Sequence, residues 1–137
     1  MVAGYADPRD RWNDATQRQY ELARRHCAYM ARSFVEEGVT CVIDDAIFPL
    51  WEHVSYEGWK AELGDTPHLL IALLPDEQAV RERNALRHGR RLLAPDMLHS
   101  IYEMMKPWRD QDRFPILDTT RLTSAEVALV IERTVNT

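Results

Sequence analysis

The residues best suited to chemistry in this sequence are five arginines in one short stretch, Arg81, Arg83, Arg87, Arg90 and Arg91, with Glu82 the one acid among them. Guanidinium forks bind phosphate oxygens in pairs and neutralise charge that moves in a transfer reaction, so the stretch is a candidate anion site. The same residues also suit a solvated helix face paired to surface acids, and both readings stand. Asp44 and Asp45 close one apolar run, and Asp118, Thr119 and Thr120 close another. Carboxylates at the carboxyl end of a buried strand can hold Mg²⁺ directly or through water, or can cap the next element. Trp12, Trp51 and Trp59, with Arg9, can wall a small organic ligand or fill a core or interface.

Other chemistries find less support. His26, His53, His68, His88 and His99 show no spacing with Cys or acidic residues that reads as a zinc site. Neither Gly-x-Ser-x-Gly nor a Cys and His arrangement suggests a hydrolase. The two cysteines, Cys27 and Cys41, lack metal or disulfide spacing and read as buried thiols. A net charge of −5 over 137 residues gives no global attraction for nucleic acid. No apolar run reaches a membrane span, and the first ten residues do not read as a signal peptide. A cytoplasmic, non-membrane protein is expected.

The elements that must position these groups follow from periodicity. Tyr20, Ala23, Cys27, Met30, Ala31, Phe34 and Val35 recur at helical steps over 14–37, with Asn13 or Asp14 as cap and Gly38 as stop. Residues 39–43 form an apolar, β-branched run that predicts a strand buried on both faces. A short helix is expected over 56–63. A second buried strand spans 68–74, closed by Pro75, and Asp76 caps an arginine-bearing helix that Gly89 interrupts. Pro95 and Asp96 restart a helix that Pro107 ends. A third strand at 114–117 precedes a last helix, capped by Thr123 or Ser124, with Val127, Val130 and Ile131 inward. The alternation predicts a single α/β domain over 1–137, with a parallel sheet flanked by helices.

In order along the chain stand W-x-x-A-T-x-R-Q, G-V-T-C-V-I-D-D, R-E-R-N-A-L-R and L-D-T-T. This series resembles the P-loop small-molecule kinases of the chloramphenicol phosphotransferase-like, AAA-type ATP-binding family, which are related in fold to shikimate, gluconate and nucleotide kinases. The likeness runs from about residue 5 to 135 and covers the later part of the family's domain. The family's first strand, its G-x-x-x-x-G-K-[ST] loop and its first helix have no counterpart here: none of the five glycines is followed by Gly-Lys-Ser or Gly-Lys-Thr at the right spacing. The resemblance therefore implies a P-loop NTPase, nucleotide-kinase-like fold without those elements.

The function it implies is ATP-dependent transfer of phosphate to a small-molecule hydroxyl, with ATP and Mg²⁺ as cofactors. The loop's backbone amides and lysine supply most of the electrostatic catalysis, so the isolated chain is expected to be inactive. By resemblance Asp44 holds the metal and Asp45 faces the acceptor. Arg83 and Arg87 are the lid arginines, with Arg91 a further nucleotide contact and Asp118, Thr119 and Thr120 wrapping the adenine. Arg9, Trp12 and Trp51 belong to the acceptor lobe. The family's first strand lies in the middle of its sheet and pairs with strands retained here. An exposed edge of that kind invites self-association or a partner chain that completes the sheet. A non-catalytic oligomeric or partner-binding descendant is the alternative.

Overall fold

The computed structural model describes residues 12–137. The chain divides into two compact units, 1–67 and 68–137. In the first unit Asn13, in extended conformation, accepts hydrogen bonds through Oδ1 from the amides of Ala15 and Thr16 and so starts α1 (Asp14–Glu36). Gly38, at φ 79°, stops it. There the amides of Gly38 and Val39 return to the carbonyls of Val35 and Phe34, a reversal that only glycine makes without strain.

The chain then runs without regular structure through 39–48, turns once at Glu52–Val54, and enters α2 (Tyr56–Leu63), which Ser55 caps through its hydroxyl. α1 packs on α2 through Ala28, Ala31, Trp59 and Leu63, with Cys41, Ile47 and Tyr56 half-buried beside them. The alanines let the two helix backbones approach, and the indole fills the space that remains.

In the second unit β1 (Ala72–Leu73) lies parallel to β2 (Ile116–Leu117), with Ala72 opposite Ile116 and Leu73 opposite Leu117. Between them come α3 (Glu77–Ala85), a turn at Gly89–Arg91, α4 (Pro95–Met105) and a turn at Lys106–Asp110. Asp76 caps α3 through Oδ1 on the Ala79 amide, and Pro95 opens α4. α5 (Ser124–Val135) starts in a full capping box in which Thr123 and Glu126 exchange hydrogen bonds. Leu74, Ala79, Leu98, Tyr102 and Trp108 are buried. On α5, Val127, Val130 and Ile131 are half-buried.

These observations correct the expected architecture. The described residues are mostly helical, and their one sheet has two strands of two residues each, so a parallel sheet flanked by helices is not what forms. The physical reason is local. A strand is held by ladder hydrogen bonds from a neighbour, and 39–43 finds none among the described residues. Of 68–74 and 114–117, only the stretches that face each other become strands. The inward face of α1 also shifts: Ala28 and Ala31 are buried, while Met30 and Phe34 are 56% and 52% exposed. Cys27 lies on that open face, and Cys41 is half-buried, so the expectation of two buried thiols fails for Cys27.

Candidate functional site

In the first unit the structure gathers several of the flagged residues around Asp45. Its Oδ2 accepts from the Tyr20 hydroxyl at 2.6 Å and from the Trp59 indole N–H at 2.8 Å, and its Oδ1 from the Ala46 amide at 2.9 Å. One carboxylate thus ties α1, α2 and the irregular connection together. Burial pushes the Tyr20 phenol well above its ordinary pKa, and its hydrogen bond to the Asp45 carboxylate pushes it further. Trp12 meets Tyr20 edge-on at 5.9 Å and Trp51 at 4.8 Å, while Phe48 reaches Trp51 at 5.6 Å. The Arg24 guanidinium lies 5.5 Å from the Tyr20 ring centroid. Trp12, Trp51 and Asp45 therefore share one aromatic, acid-bearing patch. Asp44 is exposed. Arg9 lies outside the described residues.

In the second unit the groups at the carboxyl ends of β1 and β2 are tied down by arginines. Arg83 on α3 donates to the Thr119 carbonyl at 2.6 Å, to the carbonyls of Thr120 and Leu122 at 3.3 and 3.4 Å, and to the Thr119 hydroxyl at 3.4 Å. Its guanidinium is the clamp of the 119–122 loop. Arg109 does the same at β1, donating to the Pro75 carbonyl at 2.9 Å. The Thr120 hydroxyl accepts from the Asp76 amide at 2.8 Å and donates to Asp118. That hydroxyl, together with the Thr120 amide, holds the Asp118 carboxyl below its usual range. Thr119 is buried, whereas Arg87 and Arg91 are exposed. Arg81 pairs with Glu77 one turn earlier on α3.

Beside these groups Asn84, itself buried, brackets Leu93 by donating to its carbonyl at 2.9 Å and accepting from its amide at 3.0 Å. This pins the connection after the Gly89–Arg91 turn to α3. A shallow apolar cavity of about 470 Å³ opens there, lined by Asn84, Leu92, Leu93, Pro95 and Leu98, with Arg81 at its wall. One residue and one cluster were not legible in the sequence. Arg109 follows Pro107 and Trp108 with no periodic signal, and Glu77, His99 and Glu103 are brought together by the approach of α3 to α4.

No family model matches the chain, and neither a curated protein nor a solved structure matches it. No helix among the described residues is long and apolar enough to cross a membrane.

Proposed function

We propose that this chain is the acceptor-binding and lid-bearing part of an ATP-dependent phosphotransferase for a small-molecule hydroxyl, active only when an extended strand and its glycine-rich phosphate loop are added beside residues 39–43. One observation carries the reading. The segment 39–43 is a β-branched apolar run left without a strand neighbour among the described residues, with Val42 86% exposed. The resemblance expects the first strand of the kinase to pair with strands retained here, so the unpaired segment stands where a neighbour is due.

On this reading the patch of Trp12, Trp51 and Asp45 takes the acceptor, with Asp45 holding the acceptor hydroxyl and Asp44 serving Mg²⁺. Arg87 and Arg91 meet the nucleotide phosphates. Arg83 acts through the 119–122 loop that it clamps, and the backbone of that loop lies against the adenine. ATP and Mg²⁺ supply the transferred group and its charge compensation, and the cytoplasm is the natural compartment for such chemistry.

Calorimetric titration with ATP and Mg²⁺ is the test. The chain alone should bind weakly or not at all. The same chain with a strand and G-x-x-x-x-G-K-[ST] segment fused ahead of it should bind in the micromolar range. Submicromolar binding by the chain alone, or none by the fusion, contradicts the reading.

A further inference from the structure

Glu77 in the first turn of α3 and His99 and Glu103 on α4 place three donor atoms, one imidazole nitrogen and two carboxylate oxygens, within 4.8 Å of one another. His99 and Glu103 are four residues apart on one helix, hence on one face, and that face meets the start of α3. His99 Nδ1 already lies 2.8 Å from Glu77 Oε1. Three donors from two separate elements, one of them an imidazole, is the donor set of a divalent transition metal; Mg²⁺ and Ca²⁺ prefer oxygen-only shells.

We propose that Glu77, His99 and Glu103 form a site for a zinc-class divalent cation, with solvent completing the shell. In a tetrahedral zinc site with bonds near 2.0–2.2 Å, donors sit roughly 3.3–3.5 Å apart. The cluster reaches that spacing through rotamer changes of about 1 Å, which its exposed side chains permit. Exposures of 30% for Glu77, 52% for His99 and 45% for Glu103 leave an open path for the ion. Two cations already stand on these acids: Arg81 on Glu77, and Lys106 on Glu103 at 2.9 Å. The metal must displace both, which sets a modest, micromolar affinity. It also releases the Arg81 guanidinium at the wall of the apolar cavity, so metal occupancy adds positive charge to the arginine-bearing side of α3. The site bridges the N-terminus of α3 to α4 and rests on this cluster alone, independent of the phosphotransferase reading.

The test is titration of the metal-free full chain with Zn²⁺ by calorimetry and with Co²⁺ by visible absorption, in a non-chelating buffer near neutral pH. The expected result is one saturable site, with affinity lowered at least about tenfold by either His99→Ala or Glu103→Gln, since each removes one of three ligands. Neither exposed substitution disturbs the core, and far-ultraviolet dichroism checks that both variants fold. Repeating the titration with Cys27→Ser and Cys41→Ser together should leave the affinity unchanged. Absence of saturable binding up to millimolar metal overturns the site. So does binding that survives His99→Ala or disappears with the cysteines.

Discussion

Residues 39–43 and residues 68–74 are both apolar runs that enter a polar segment, yet they end differently. The second becomes β1 because β2 lies parallel to it; the Ala72 amide reaches the Pro115 carbonyl and the Leu74 amide the Leu117 carbonyl, both at 3.0 Å. The first stays irregular, with Cys41 half-buried against the core shared by α1 and α2 and Val42 facing solvent. An apolar run becomes a strand only in the presence of a neighbour, and among the described residues the second run has one and the first does not.

The largest effect should come from removing what holds the first unit together without strands. Trp59→Ala empties the space between α1 and α2 and removes a donor to Asp45. It should cost about 3–5 kcal/mol, read as a lower urea midpoint with loss of near-ultraviolet dichroism. If the loss is below 1 kcal/mol, roughly the cost of an exposed side chain, the packing of α1 on α2 is not what stabilises this unit.

The matching break in the second unit is Arg83→Ala, which removes the guanidinium from the carbonyls of Thr119, Thr120 and Leu122 and leaves Thr119 only the Leu122 amide. A charged donor of this kind contributes about 1.5–3 kcal/mol, and hydrogen exchange should rise across 119–122 more than at 40–43. Arg83→Lys should recover little, because an ammonium cannot reach several carbonyls with one planar fork.

Val42→Lys sharpens the comparison. In the chain alone the side chain is solvated, so stability should change by less than about 0.5 kcal/mol. In the fusion carrying a strand and phosphate loop it should weaken ATP binding, because a charge would be placed on a face of a parallel sheet that is ordinarily covered. The equivalent change at Leu74, which is 3% exposed, should unfold the second unit. Equal tolerance at both positions would remove the contrast between the runs.

The smallest effect concerns pH. Hydrogen bonds from the Thr123 amide and hydroxyl hold the Glu126 carboxyl below its usual range. A carboxyl with a depressed folded pKa stabilises above its unfolded pKa, and that contribution is lost as pH falls through the folded value. Protection of the amides in the first turn of α5, relative to the unfolded chain at the same pH, should therefore fall on acidification below the ordinary glutamate range. In Glu126→Gln it should not change with pH. In the alkaline direction the Tyr20 phenol should ionise above its ordinary range, and Tyr20→Phe should remove that late step.

Much of this was legible in the residues. Asn13, Gly38, Asp76, Pro95 and Thr123 punctuate the helices where capping chemistry says they should, because a cap is a local interaction, whereas α3 ends at Ala85, before Gly89, which opens the next turn. The short helix at 56–63 was legible for the same reason. Strand pairing was not, since the fate of 39–43 depends on a neighbour that its own residues cannot specify. Asp44, Asp45, Asp118 and the arginines of 81–91 were visible as residue types, but not their partners. That Asp45 takes Tyr20 and Trp59, and that Arg83 clamps three carbonyls, follows from packing between elements far apart in sequence. The cluster of Glu77, His99 and Glu103 was missed because only two of its three members share a helix.

If an added strand pairs with the irregular segment 39–43, as proposed, amide hydrogen exchange at Thr40, Cys41, Val42 and Ile43 reports the pairing directly. In the chain alone these amides should exchange nearly as fast as in an unfolded chain, while those of Ala72 and Leu74 are protected. In the fusion with the added strand and phosphate loop they should slow to the level of Ala72 and Leu74. Slow exchange at 40–43 in the monomeric chain, or no slowing in the fusion, would contradict the account.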